Sequence, residues 1–386
     1  MAHSNTIMYQ LQTLIPRHRF ESLVNGLLGN YYVKHFTCWN QLTVMLYAQA
    51  SGKDSLRDIQ NSLLAQGDKL YHLGIKSVRR STLADANRKR PFHIFEQLFY
   101  ELLDRCKSIT PHHRFKFKNP LHILDATLID LCLSTFPWAK FQTTKGALKL
   151  HYQYNHAGQI PTFMVVTEGK RHEVAIASSC FPIISDSIYC VDKAYTDYNW
   201  FYSINKQRAF FVTRARKNMK YALIGQQQPN MKNIISDQII MLSGPAKKEE
   251  YPDPLRLIQY YDKDEDRIFV FLTNNFSLSA YTISQIYKSR WQIEIFFKWI
   301  KQNLKIKTFL GTSKNAVLTQ IWIAMCYFLL LAYIKYQTKY KYTLFYLHKI
   351  IRETLLERLN LVDLLNLDDK LLPKIKNTEQ QLYFAL

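Results

Sequence analysis

The chain has 386 residues, 47% of them hydrophobic, with only 11 Gly and 12 Pro. That length exceeds what one core usually fills and that composition supports more than one, which excludes a chain dominated by disorder. Lys and Arg number 51 against 30 Asp and Glu, a formal charge of +21, so the expected partner is a polyanion, with nucleic acid ahead of a membrane surface.

Residues 1–115 read as helical, with apolar positions at three- and four-residue spacing in QLTVMLYAQASG and FHIFEQLFYELLDRC. Between these lies GIKSVRRSTLADANRKRP, a short helix that Ser81 or Thr82 can cap, flanked by Arg79, Arg80, Arg88, Lys89 and Arg90. A helix start among so many cations suits docking on a phosphate backbone, and residues 1–115 are the expected DNA-binding domain.

The register changes at Pro120. LHILDATLIDLCL alternates and reads as a buried strand carrying Asp125, followed by strands in KGALKLHYQYN and IPTFMVVTE and a helix-compatible HEVAIASSCF. SIYCVDKAYTD is a short strand running into Asp192, then come a helix at YNWFYSINKQ and a strand at AFFVTRAR. This order of three strands, helix, strand, helix and strand is that of a ribonuclease H-like α/β core. Residues 216–274 read as strands only, a β-rich insertion, and helix resumes near Ser279. The core is therefore expected over 116–215 and 275–335, with a helical C-terminal region at 336–386. The most apolar stretch, Ile321 to Ile334, reads as a core helix too short to cross a bilayer. The opening MAHSNTIMYQLQTLIPRHRF lacks the apolar run of a signal peptide. Six cysteines without ligand spacing point to reduced thiols in the cytoplasm rather than to zinc or disulfides.

One helix is expected to carry the densest chemistry. At about 100° per residue, Tyr287, Arg290, Glu294 and Lys301 fall near 0°, 300°, 340° and 320° of one wheel, with Lys298 near 20° and Trp291 near 40°. Ile286, Ile293, Phe297 and Ile300 form the buried stripe beside them. A carboxylate framed by cations and a phenol suits phosphodiester chemistry.

Asp125 and Asp192, each in an apolar strand, cost several kcal/mol unless paired or metal-bound. Each acid has a plain structural reading by itself: a turn cap, a strand end, and for Glu294 an i, i+4 pair with Arg290. Together, at one edge of an α/β core, the three acids would bind two Mg²⁺ ions through oxygen.

The D…D…E order and the Y-x2-R-x3-E-x6-K spacing resemble the insertion-sequence DDE transposases, specifically insertion-sequence family four. The resemblance runs from about Leu121 to Ile334 and is strongest in LDATLID, YCVDKAY and YKSRWQIEIFFKWIKQNLKIKTFLGTS. It implies that Asp125, Asp192 and Glu294 are the catalytic, metal-binding triad, served by Mg²⁺ with Mn²⁺ substituting. It implies that Tyr287, Arg290 and Lys301 grip phosphate, with Lys298 as a secondary contact. It further implies a homodimer on double-stranded DNA, at paired inverted-repeat ends and target, in the bacterial cytoplasm at the nucleoid. Hairpin-forming relatives stack an extruded base on an insertion-strand tryptophan; here RIFVFLTNN has Phe269 in that place, and Trp291 is a second candidate. A ribonuclease H-like structure-specific endonuclease without strand transfer, and an inactive transposase-derived DNA-binding protein, are the competing expectations.

Overall fold

The computed structural model describes residues 5–111, 115–142, 145–228, 231, 233–306 and 308–371, so the end of the expected helical tail, residues 372–386, lies outside them. The chain opens with helices α1 (Ile7–Thr13), α2 (Arg17–Gly26), α3 (Cys38–Ser51), α4 (Leu56–Ala65), α5 (Arg80–Lys89) and α6 (His93–Lys107). Strands β1 (Leu121–Leu131), β2 (Gly146–Asn155) and β3 (Ile160–Glu168), helix α7 (Glu173–Cys180), strand β4 (Ile188–Val191), helix α8 (Tyr198–Lys206) and strand β5 (Phe210–Arg214) follow. Then come β6 (Tyr221–Gln227), β7 (Ile234–Leu242), α9 (Pro245–Glu250), β8 (Leu255–Asp262) and β9 (Arg267–Thr273). The chain continues through α10 (Ala280–Lys288), α11 (Trp291–Asn303), α12 (Lys314–Gln337), α13 (Leu344–Thr354) and α14 (Leu361–Leu371).

Two compact units result, Met1–Ile109 with Asn303–Leu386, and Thr110–Gln302. The first is helical and is built around α12, which packs on α3, α5, α6 and α13. Apolar side chains cover α12 all round, and such a helix is stable only when enclosed. The helix is longer than the apolar run suggests. It begins at Lys314 and passes through buried Thr319 and Gln320, whose amide nitrogen donates to the Thr308 carbonyl and whose amide oxygen accepts the Leu310 N–H. Its length and composition would cross a membrane, yet 94% of its most apolar stretch is buried inside the protein. By its contacts α12 belongs with the helical unit rather than with the sheet.

The second unit is an α/β layer structure around a nine-stranded sheet, in the order β3-β2-β1-β4-β5-β9-β8-β7-β6. β1, β2 and β3 are antiparallel neighbours, while β4 and β5 run parallel to β1. These five strands with α7 and α8 make the expected ribonuclease H-like core. The strands after residue 216 do not form a separate sheet. β9 pairs with β5 antiparallel, so the insertion prolongs the core sheet, and α9 interrupts what reads in the sequence as strands only. Aromatic packing holds one face, with Phe201 of α8 stacked on Phe211 of β5 at 4.2 Å. On the other face Phe296 and Phe297 of α11 meet Tyr152 of β2 at 5.1 and 5.6 Å between ring centroids.

The expected single helix over Tyr287 to Lys301 is two helices, α10 and α11, parted at Ser289 and Arg290. The Ser289 hydroxyl donates to the Ile286 carbonyl at 2.6 Å, and the Arg290, Gln292 and Ile293 amides each bond three residues back. This tightening ends the regular i to i−4 ladder. Wheel angles therefore do not carry across it. At α5 the helix starts at Arg80, ahead of Ser81 and Thr82, and the Gln60 side chain takes the Arg80 N–H at 2.6 Å in place of a hydroxyl cap.

Candidate active site

The parallel pairing of β1 and β4 matches Leu124 with Val191, both buried in the core under α8. Side chains alternate across a strand, so the next residues, Asp125 and Asp192, turn to the opposite face at neighbouring positions. Cys190, two before Asp192, points the same way and donates its thiol to the Ile286 carbonyl of α10. Two carboxylates thus stand at adjacent strand positions beneath the junction of α10 and α11.

Arg290, at that junction, joins the acids. Its Nη1 lies 3.2 Å from Asp125 Oδ2 and its Nη2 lies 2.6 Å from Glu294 Oε1. The side chains of Arg290, Asp125 and Glu294 are 17%, 19% and 33% exposed, so these are half-buried pairs with reduced screening. Asp192 Oδ1 accepts the Tyr287 hydroxyl at 3.2 Å and faces Arg214 Nη2 at 3.5 Å. In the structure, then, Tyr287 and Arg290 touch the acids themselves.

The two aspartates differ in charge state. Burial pushes the Asp125 carboxyl up to about 7; the Ala126 N–H and Arg290 pull against this, and Glu173 and Glu294 add to the rise. Burial also acts to raise Asp192, but the Lys193 N–H, the Arg290 and Arg214 charges and the Tyr287 hydroxyl outweigh it and hold it below the usual range. Arg290 loses solvation too, yet the surrounding Tyr287, Asp125 and Glu294 keep its pKa raised, so it stays a cation. Buried Tyr195, close to Asp125, Glu173 and Asp192, is driven far above its ordinary value by desolvation first and by those charges second, and keeps its proton.

Asp125, Asp192 and Glu294 each offer oxygen donors of the kind a hard divalent cation takes, and a desolvated carboxyl raised to about 7 is one that a nearby cation would ionise, but as they stand the three do not converge. Among the described residues no three His, Cys, Asp or Glu side chains stand close enough to enclose an ion. The guanidinium of Arg290 is what lies between Asp125 and Glu294.

The remaining expected contacts divide sharply. Trp291, 57% exposed, and Lys298 face solvent, while Lys301 at the end of α11 is half-buried. Phe269 is buried, parallel to Phe271 at 5.9 Å, with Arg267 over it at 4.3 Å, so its ring faces are already used. In the helical unit Arg79, Arg80, Arg88 and Lys89 are exposed, with Arg88 paired to Asp85 at 2.8 Å. Arg90 is not with them. It is buried and donates to the Phe36 and Thr37 carbonyls and to Gln41, which makes it a brace for the start of α3.

Arg214 and Glu173 were not singled out from the sequence. Arg214 comes into the site only through the pairing of β5 with β4, for which the sequence carries no local signal. Glu173 pairs with Lys149 at 3.3 Å on the wall of an open cleft of about 680 Å³, shared with His172, Thr196 and Arg216. His151 is buried against Thr167 at 2.9 Å, and desolvation lowers it to about 4, so it is neutral.

An α/β sheet of this topology, with two acids on neighbouring parallel strands and a third on a facing helix, is that of a ribonuclease H-like fold. The transposase DDE domain family matches residues 116–329, and the chain belongs to it. A protein of Sinorhizobium fredii named as the transposase y4zB is 34% identical over 254 residues, covering 64% of this chain and 69% of that one. The probable transposase for insertion sequence element IS5377 of Geobacillus stearothermophilus is 25% identical (69% of this chain, 70% of that one). A Synechocystis protein named for insertion sequence element IS4SA is 23% identical (68% and 74%). The piggyBac transposase synaptic complex with hairpin DNA matches at a TM-score of 0.49 and 9% identity, over 97% of this chain and 84% of that one. Residues 3–76 match a domain of unknown function, DUF4372. The chain is thus an insertion-sequence DDE transposase, an enzyme acting on DNA with the general divalent-metal dependence of its class. The endonuclease and the retired binding protein are not favoured.

Proposed function

We propose that this transposase belongs to insertion-sequence family four and moves its element by cut and paste, with Asp125, Asp192 and Glu294 as the catalytic acids. The observation that carries the reading is the register Leu124 with Val191, beside Arg290 bonded to both Asp125 and Glu294. The three acids would hold two Mg²⁺ ions, which would supply an activated water or 3′-hydroxyl and charge relief at the leaving oxygen.

The protein's own groups do the positioning. Arg290 sets Asp125 and Glu294 at fixed separation, and Tyr287 and Arg214 orient Asp192. The Nε of Arg290 and of Arg214 is buried without a hydrogen-bond partner among the described residues, so each would meet a phosphate oxygen only if the site opened around it. Exposed Lys298, with Lys301, extends this cationic rim along α11, and the exposed Arg79, Arg80, Arg88 and Lys89 give the helical unit its own phosphate contacts. A homodimer, each site serving one inverted-repeat end, would join the ends to target DNA in the cytoplasm at the nucleoid.

The test is cleavage of a supercoiled plasmid carrying the element's two ends. Wild type with Mg²⁺ is expected to cut and to yield insertions flanked by short target duplications, and Asp192→Asn to bind DNA without cutting. Glu294→Gln with wild-type cleavage would remove α11 from the site.

A further inference from the structure

The loop between α2 and α3 presents large rings to solvent from a backbone that is held rather than loose. Leu28, Tyr31 and Tyr32 are 68%, 65% and 87% exposed, and the two tyrosine rings meet edge to face at 4.2 Å. Leu28 and Tyr32 both sit in the left-handed region, at φ 51° and 53°, which costs a non-glycine residue on the order of 1 kcal/mol or more.

Both ends of the loop are pinned. Gly29 is buried so tightly that a Cβ would meet Ile94 and Cys38, and the Asn30 side chain accepts the Cys38 N–H at 2.8 Å. At the far end Arg90 holds the Phe36 and Thr37 carbonyls, and Thr37 with Asn40 forms the capping box of α3. Exposed aromatic surface at a strained, anchored tip has no packing role in the helical unit.

The charge around it selects a partner. No Asp or Glu occurs between Glu21 and Asp54. Lys34 and His35 are exposed in the loop itself, while the Arg17 guanidinium, over Trp39 at 4.9 Å just beyond it, is paired with Glu21 at 2.8 Å. Exposed rings beside Lys34 and His35, on a stretch of chain that carries no acid of its own, match a polyanion that also offers flat apolar faces, which is DNA.

Resting on the DNA transposase reading above, we infer that Tyr31 and Tyr32 form a stacking tip that packs against a base exposed at an opened or bent step of the DNA. Lys34 and His35 meet the adjoining phosphates. This gives residues within the domain of unknown function a role distinct from the acids of the sheet unit.

The full chain is titrated by fluorescence anisotropy against a labelled 30-base-pair mixed-sequence duplex and the same duplex carrying a two-nucleotide bulge. Wild type is expected to prefer the bulged duplex. Tyr31→Ala/Tyr32→Ala should lose that preference, weakening at least about fivefold on the bulge, while Tyr31→Phe/Tyr32→Phe, which keeps the rings, retains it. The slope of log affinity against log salt should stay as in wild type for both, and fall by about one for Lys34→Ala. Equal affinity of the alanine pair and wild type for the bulged duplex would overturn the inference and leave the transposase reading standing. A change in DNA-free sedimentation caused by the alanine pair would also overturn it, by making the tip a contact with a second copy. Wild type that binds neither duplex would sink both readings.

Discussion

Replacing Arg290 separates two roles that one guanidinium combines. It lies 3.2 Å from Asp125 and 2.6 Å from Glu294, with all three side chains at most one-third exposed. At an effective dielectric near 20 the attractions are about 5 and 6 kcal/mol before desolvation is charged against them, and removing one partner of half-buried pairs leaves a net cost of about 1–3 kcal/mol. Arg290→Ala should therefore lower the melting temperature by about 3–8 °C, read by differential scanning fluorimetry. If Arg290 also fixes the acids in place, a displacement of the order of 1 Å lowers cleavage by about 100-fold at saturating Mg²⁺, read as the single-turnover rate on plasmid substrate. Arg290→Lys keeps the charge but cannot reach both carboxylates through a rigid fork, so it should recover part of the stability and little of the rate. A variant that melts early yet cleaves at the wild-type rate would refute the positioning argument, because charge balance alone would then explain the contact.

Asp237 and Arg256 form a bidentate pair at 2.8 and 2.6 Å, both nearly inaccessible, and Arg256 also holds the Asn275 and Leu278 carbonyls ahead of α10. Asp237→Ala should cost about 3–5 kcal/mol in urea unfolding, whereas Asp237→Leu with Arg256→Met should cost far less; equal losses would count against a stranded charge as the cause. His151 and His348 are both depressed by burial to about 4, below their unfolded value, so their stabilisation is complete above about 6.5 and drains away as the pH falls toward 4. His348→Gln, which can still meet the Tyr327 hydroxyl, should flatten the loss of melting temperature between pH 7 and 4; an unchanged acid limb would exclude His348 as a source. Arg90→Ala should reduce stability by about 2 kcal/mol through the lost carbonyl contacts, while Arg79→Ala should leave melting unchanged and lower the salt slope of DNA binding by about one. The reverse pattern would show that Arg90 belongs to the DNA surface after all.

The core was legible where hydrophobic period and strand length agree. LHILDATLIDL and SIYCVD read as strands because branched apolar residues dominate them, and an acid within the first and at the end of the second is costly enough to mark a site. The break at Ser289 was not legible, since the apolar stripe continues across it and the helix ends through the serine hydroxyl bond to Ile286 and the tightened backbone bonds that follow. Arg90 looks like its neighbours in sequence; its burial depends on carbonyls more than fifty residues away. Arg214 reaches Asp192 only because β5 lies beside β4, a pairing that no local pattern encodes.

The ladder joining β1 to β4 has a consequence for how this enzyme tolerates change. Hydrogen-bonded strands sit about 4.8 Å apart whatever connects them, so the gap between Asp125 and Asp192 is a backbone constant. The hairpin and helix between them can lengthen or shorten while both carboxyls stay where they are. One residue inserted within either strand would instead swing its acid through the sheet to the far side.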